Sequence, residues 1–469
     1  MDLDGSLWPT PAPGIDLAAQ LDKMVQSGVE SLRVTFNWAA AQPYASYSQL
    51  QAARANPSAF TNVAGVPTDF APLDNIVGLA AQRGLTILPE VLNAPGWDAV
   101  PARGLSVAVP AQVGPYANFA QALVQRYGPS GTFWSANPTI PKVPIRMWQI
   151  WNEPNTSTFW NVQPFAPTYV ALLRAAHDAV KAADPGAQVV LAGLPNDSWD
   201  ALDTIYAIPG ASQLFDVVDL HPYTQAPSGV ILILAKVRQT MAANGDAQKP
   251  MLAGEVSWPS ALGQPSSNPF GYDFITTEAG QASNLAAVIP MLANDRGALG
   301  LLSFYYYNWA SAEPRGGFAF DFSGLFRYAS GTLVTKPAFN AFALAALAIE
   351  ECSQKAAVAT RCLKPAGEAT PASPPAGSNS PKTVRKPVNT IKPRVRRSGK
   401  DLVCTRGTWA NAPTRFSYRW LVGGKVKAGA SRLTLAISHK LRGHKVQCGV
   451  TASTSAGTAS ALSAPFRVR

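Results

Sequence analysis

Two glutamates stand in settings that suit proton transfer and nucleophilic attack. Glu153 lies in Trp148-Gln149-Ile150-Trp151-Asn152-Glu153-Pro154-Asn155, where an apolar run ends in Asn-Glu. Pro154 has no backbone N–H and cannot extend a strand ladder, so the carboxylate falls at the carboxyl end of the run. The flanking tryptophans can exclude water from it, as a general acid requires. Glu255 repeats the arrangement in Pro250-Met251-Leu252-Ala253-Gly254-Glu255-Val256-Ser257-Trp258. Two carboxyls at strand ends can flank a glycosidic bond, one protonating the leaving oxygen and the other attacking the sugar carbon. A separation of roughly 5–5.5 Å means retention of configuration, and roughly 6.5–9.5 Å means inversion. A glutamate that merely satisfies hydrogen bonds at a strand end is the plainer alternative.

The elements that must position these groups alternate along the chain. Helical periodicity is expected over 16–27, 72–83, 115–127, 167–184, 198–207, 229–243, 276–295 and 337–349. Between them lie strand-like runs at 31–37, 85–92, 146–151, 188–193, 216–220, 250–254 and 299–307. Such uniformly apolar runs suit a parallel sheet covered on both faces, either a (β/α)8 TIM barrel or a doubly wound sheet. Connections leaving the strands are long (38–71, 93–114, 256–275, 310–334) while those entering them are short, which favours the barrel. Eight helices face only seven clear strands. The missing first strand should precede helix 16–27, where Met1 to Leu7 reads as too short and polar, so a start upstream of Met1 is expected.

The Trp-x-Ile-Trp-Asn-Glu-Pro-Asn segment followed by a strand-end Glu resembles clan A glycoside hydrolases, families 39 and 5 in particular, over about residues 14–350. The resemblance implies that Glu153 is the acid/base, Glu255 the nucleophile, and Asn152 the partner of the sugar 2-hydroxyl. His221-Pro222-Tyr223 is similar to that clan's His-x-Tyr, with Tyr223 bonded to the nucleophile and His221 lining the pocket. Arg33 matches the clan's strand-two arginine, and Trp309 its strand-eight tryptophan at the floor of the sugar site. A buried structural ion pair is the alternative for Arg33, and a satisfied core histidine for His221. Leu88-Pro89-Glu90-Val91-Leu92-Asn93 lacks the His found there in much of family 5, which favours family 39 and leaves Glu90 and Asn93 without a role. The implied activity is retaining hydrolysis of a β-linked oligo- or polysaccharide with no metal or organic cofactor. A transglycosylase using the same residues and a non-catalytic carbohydrate-binding protein are the alternatives.

Composition bounds the rest. The 469 residues are 47% hydrophobic and 14% charged, which excludes global disorder. No apolar run reaches the ~18 residues that would span a bilayer. The net charge of +11 is a compound of two parts, −7 up to Leu363 and +18 from Lys364 onward. Four cysteines form two local pairs, Cys352/Cys362 and Cys404/Cys448, without zinc-ligand spacing to His. They are expected as disulfides, hence an extracellular or cell-wall location, although Met1 to Gly5 has no signal-peptide character. Domain boundaries are expected at 1–363 for the barrel, 364–386 for a Pro/Ser-rich to basic linker, and 387–469 for a small domain. In the last, Cys404, Trp420 and Cys448 fall on separate short strands, the order of an immunoglobulin-like β-sandwich. Residues 382–400 carry eight Lys/Arg and no acid, but no interleaved aromatics, so nucleic acid is not expected as partner. Carbohydrate is the expected substrate, and an anionic cell-wall polymer the expected partner of the basic region.

Overall fold

The computed structural model describes residues 1–101, 107–269, 271–311, 313, 317–356, 358–359, 362–365, 386–398, 401–410, 415–454 and 456–468. Most of the expected linker, residues 366–385, lies outside these. The chain divides into two compact units, Met1–Ala369 and Thr370–Arg469.

In the first unit, strands Ser31–Asn37, Thr86–Leu92, Met147–Ile150 and Gln188–Val190 run parallel and adjacent in that order. Strands Val218–Leu220, Met251–Val256 and Leu301–Tyr306 form a second parallel run. Single parallel bridges, Val190 to Val217 and Leu194 to Leu220, link the two runs. The place between Ser31–Asn37 and Leu301–Tyr306 is taken by residues 1–5. Asp2 N donates to Tyr306 O at 3.0 Å, Leu3 N to Arg33 O at 3.2 Å, and Arg33 N to Met1 O at 2.9 Å. This corrects the expectation of a missing first strand. The segment is polar because Asp2 turns inward onto Arg33, while Leu3 and Leu7 are fully buried. Counting it first, Glu153 follows the fourth strand and Glu255 lies within the seventh.

Eight helices follow these eight strand positions: Leu17–Gln26, Ala71–Ala81, Val113–Tyr127, Phe165–Ala183, Ser198–Tyr206, Pro227–Ala243, Glu278–Leu299 and Pro337–Ile349. Leu17–Gln26 shows how sequence makes them. Asp16 caps it by accepting from Ala19 N, and Leu17, Leu21, Met24 and Val25 bury one face at helical spacing. Glu278–Leu299 ends at Gly300, whose φ of +60° is the left-handed conformation glycine adopts without cost, and the eighth strand begins at Leu301.

Period-two alternation then layers the interior. Leu88, Val190, Val217, Leu252 and Tyr305 pack as one apolar cluster. One step further along the same strands come Glu90, Asp219, Gly254 and Tyr307, so the floor of the polar site is a hydrophobic plug.

The second unit is antiparallel β. One sheet pairs Arg394–Ser398, Asp401–Thr405 and Thr434–Ala436. Another orders Lys425–Val426, Arg415–Val422, Lys445–Thr454 and Gly457–Leu462, with Phe466–Arg467 also on Lys445–Thr454. The Cys404–Cys448 disulfide joins the two sheets beside fully buried Trp420. The other expected pair, Cys352–Cys362, is bonded across the short hairpin of Cys352–Lys355 and Cys362–Pro365.

Candidate active site

Arg33 is the hub. Its side chain is buried, and each of its five N–H donors has an acceptor. Nη1 donates to Glu255 Oε1 at 2.7 Å and Asp2 Oδ2 at 2.9 Å; Nη2 donates to Glu90 Oε1 at 2.5 Å and Asn152 Oδ1 at 2.9 Å. Nε donates to Gln149 Oε1 at 2.9 Å, and Gln149 Nε2 in turn donates to Asp219 Oδ2 at 2.5 Å. Burial opposes the guanidinium charge, but Glu90, Glu255 and Asp2 around it hold the group protonated well above its usual range. The buried ion pair expected as the alternative for Arg33 is present, and one of its partners is Glu255.

Glu255 also accepts from Tyr223 OH at 2.5 Å, so both its oxygens are held by donors. Glu153 Oε1 lies 2.7 Å from His221 Nδ1. The imidazole is fully buried, which disfavours its charge, yet the Glu255 and Glu153 carboxylates push its pKa up to about 9. A protonated His221 therefore donates Nδ1–H to Glu153, and its Nε2 stands 3.6 Å from Glu255 Oε1. One oxygen of Glu153, one nitrogen of His221 and one oxygen of Glu255 all lie within 4.8 Å of one another. Such a trio could also ligate a cation, although Arg33 Nη1 already occupies Glu255 Oε1 at 2.7 Å.

Two glycines make room for this packing. A Cβ on Gly193 would stand 1.9 Å from His221 Nε2, and one on Gly254 would stand 2.1 Å from Asp219 Oδ2. Local backbone is special too: Trp151 and Glu153 have φ of +75° and +39°, a sparsely populated region for residues with a Cβ. The chain turns so sharply after Ile150 that Asn152 reaches Arg33 while Glu153 reaches His221.

The structure thus gathers Glu153, Glu255, Arg33, Asn152, His221 and Tyr223. It does not bring Trp309 to them. That ring is fully buried, packed on Phe326 at 4.9 Å and Phe339 at 5.7 Å, with Nε1 donating to Gln20 Oε1. The aromatic that faces the carboxylates from the eighth strand end is Tyr307. Burial, with Asp4 and Glu255 nearby, pushes its hydroxyl well above the usual tyrosine range. Its ring meets Phe320 at 5.2 Å, and Phe320, Phe274 and Tyr272 continue as an aromatic wall to Tyr223. Trp8, Trp38, Trp160 and Trp258 are likewise buried packing groups rather than cleft walls.

Glu90, left without a role by sequence, is part of the cluster. Burial raises its pKa to about 7, with Arg33 opposing and Glu255 and Asp2 adding to the rise. Burial also raises Asp2 and Asp4. Asp2, Asp4, Gln149 and Asp219 were not foreseen; the inward alternation through Arg33, Glu90 and Gln149 was the available signal. Asn93 instead bonds Ala108 N and Asn37. His177 pairs with its neighbour Asp178 on helix Phe165–Ala183. A cavity of about 630 Å³ opens at the amino ends of the strands, by Ser31, Thr86, Met147 and Leu301, opposite the glutamates.

No protein-family model matches the sequence, and no curated protein does. Among solved structures, a monomeric β-xylosidase from Caulobacter crescentus CB15 aligns with a TM-score of 0.51 at 16% identity, over 96% of this chain and 90% of that one. A family 39 β-xylosidase from Caulobacter crescentus aligns at 0.50 and 16% identity, over 86% and 78% of the two chains. A glucosidase from Croceicoccus marinus aligns at 0.50 and 14% identity, over 92% and 78%. The chain therefore has the (β/α)8 fold of clan A glycoside hydrolases, followed by an antiparallel β unit.

Proposed function

We propose that this protein is a retaining glycoside hydrolase acting on a β-linked oligo- or polysaccharide. The observation that carries the reading is the close approach of two strand-end glutamates, with oxygens of Glu153 and Glu255 within 4.8 Å. A closest approach this short favours direct attack by Glu255 over the wider pair that seats a water between carboxylate and sugar. Arg33 and Tyr223 both donate to Glu255, favouring the ionised form a nucleophile needs. Glu153, less enclosed than Glu255, accepts from His221 through Oε1 and, protonated on Oε2, gives that proton to the departing oxygen as the Glu255–sugar bond forms. It then takes a proton from the water that resolves the covalent intermediate. Arg33 fixes Asn152 through Oδ1, so Nδ2 is the group left to meet the sugar 2-hydroxyl.

The likeness to β-xylosidases and a glucosidase supports the reaction class and does not select a sugar. The two disulfides support an exported, extracellular or cell-wall-associated protein. Among the described residues no helix is long and apolar enough to cross a membrane. Cys404, Cys448 and Trp420, buried together between two sheets, support an immunoglobulin-like reading of the second unit.

The test is hydrolysis of a panel of aryl β-glycosides by the protein and by Glu255→Gln. The variant should lose at least roughly three orders of magnitude in kcat. Equal rates would overturn the assignment, and dominant transfer to an added acceptor sugar would make the protein a transglycosylase.

A further inference from the structure

The second unit carries a surface that the hydrolytic site does not explain. Along Lys445–Thr454, Val446, Cys448, Val450 and Ala452 are buried, so Lys445, Gln447, Gly449, Thr451 and Ser453 face outward. Their register partners share that face: Arg419 stands opposite Gly449 with Leu462 on its other side, Leu421 opposite Gln447, Ser417 and Ser460 on either side of Thr451, and Arg467 opposite Lys445. Arg419, Lys445 and Arg467 are all exposed. Arg419 lies flat across the sheet because residue 449 has no side chain; a Cβ there would stand 2.9 Å from Arg419 Nε. Thr451 and Ser460 bond each other across the strands at 2.7 Å, adding a hydroxyl ledge. Gly449 is four positions on from Lys445, so Arg419 is roughly 13 Å along the sheet from the Lys445/Arg467 pair.

No acid interrupts this face. From residue 386 onward the sequence contains one carboxylate side chain, Asp401, and it belongs to the other sheet. Among the described residues none of these three cations forms a salt bridge. A face with separated, unneutralised cations, serine and threonine hydroxyls and no outward aromatic ring suits an anionic polymer of sugar-like polarity. It lacks the stacking platforms that single-stranded nucleic acid uses. We propose that the outward face of Arg415–Val422, Lys445–Thr454 and Phe466–Arg467 is a docking surface for an anionic polysaccharide, held by Arg419, Lys445 and Arg467. The surface is independent of the hydrolytic reading, because none of these residues belongs to the Glu153/Glu255 site.

The experiment uses the whole protein and polygalacturonate as probe, with a neutral glucan and duplex DNA in parallel, titrated at several salt concentrations. Binding should appear for polygalacturonate, be absent for the glucan, and weaken steeply with salt. The triple variant Arg419→Gln, Lys445→Gln, Arg467→Gln should lose roughly tenfold in affinity. A charge-matched control, Arg394→Gln, Arg396→Gln, Lys440→Gln, removes exposed cations of the same unit that lie outside the strands of this sheet and should lose little. Both variants should keep the circular dichroism spectrum and the aryl-glycoside rate of the parent. Equal loss in the two variants would reduce the effect to net charge, and tighter binding to DNA than to polygalacturonate would make the partner nucleic acid. Either outcome, or no binding at all, overturns the proposal.

Discussion

At the scale of residues, the site holds more acid than its cations can neutralise. Arg33 and protonated His221 face Asp2, Glu90, Glu153, Asp219 and Glu255, and Glu90 answers by keeping its proton to about pH 7. In the unfolded chain Glu90 would titrate near its ordinary value of 4.5, so between these values the folded state binds more protons than the unfolded one. Stability from this group is therefore complete below about pH 4.5 and declines as pH rises through about 7. Glu90→Gln keeps an acceptor for Arg33 and removes the titration. The slope of melting temperature against pH across that window should become shallower in the variant, and identical slopes would show that Glu90 does not store the proton.

At the scale of elements, close packing places the candidate catalytic groups, and glycine is what permits it. Gly193 follows the fifth strand and bridges Asn152, with His221 pressed against its missing side chain. Gly193→Ala should displace the imidazole from Glu153 and lower kcat on an aryl glycoside roughly 100-fold, the usual result of a misplacement near 1 Å. A melting curve taken alongside separates a displaced His221 from a lost fold. The elements themselves were legible: every helix expected from periodicity is present, and the seven apolar strands lie within a few residues of where the sequence puts them. The first strand was not, because its inward residue is Asp2, whose partner Arg33 can be seen only once the strands are side by side. Trp309 misled for a related reason. The resemblance to clan A enzymes put a sugar platform there, but Tyr307 is the ring that continues the inward alternation of Tyr305, and Trp309 lies beyond it, against Phe326 and Phe339. Glu153, Glu255 and the His221/Tyr223 pair were legible because each closes an apolar run.

At the scale of the whole molecule, the units differ in what holds them together. The first has one large apolar core; the second has a small core and a disulfide closing 44 residues. In the loop-entropy account such a link is worth about 4 kcal/mol. Replacing Cys404 and Cys448 with Ala should lower or abolish the second unit's melting transition while leaving aryl-glycoside hydrolysis unchanged, as followed by calorimetry and rate on the same sample. Reduced activity would show that the units are coupled. The buried Arg33 cluster also bears on how the fold forms. Arg33 draws its partners from 31, 57, 116, 119 and 222 positions away. A half-collapsed chain would have to bury a guanidinium with only part of its hydrogen bonds made, which is costly in a low-dielectric interior. Partly folded forms of the barrel are thereby penalised until Glu255 has docked, and contacts of such long range make that step slow. Turnover is then a late signal in refolding: catalysis should return only with the final, most non-local phase, after helix content has already recovered.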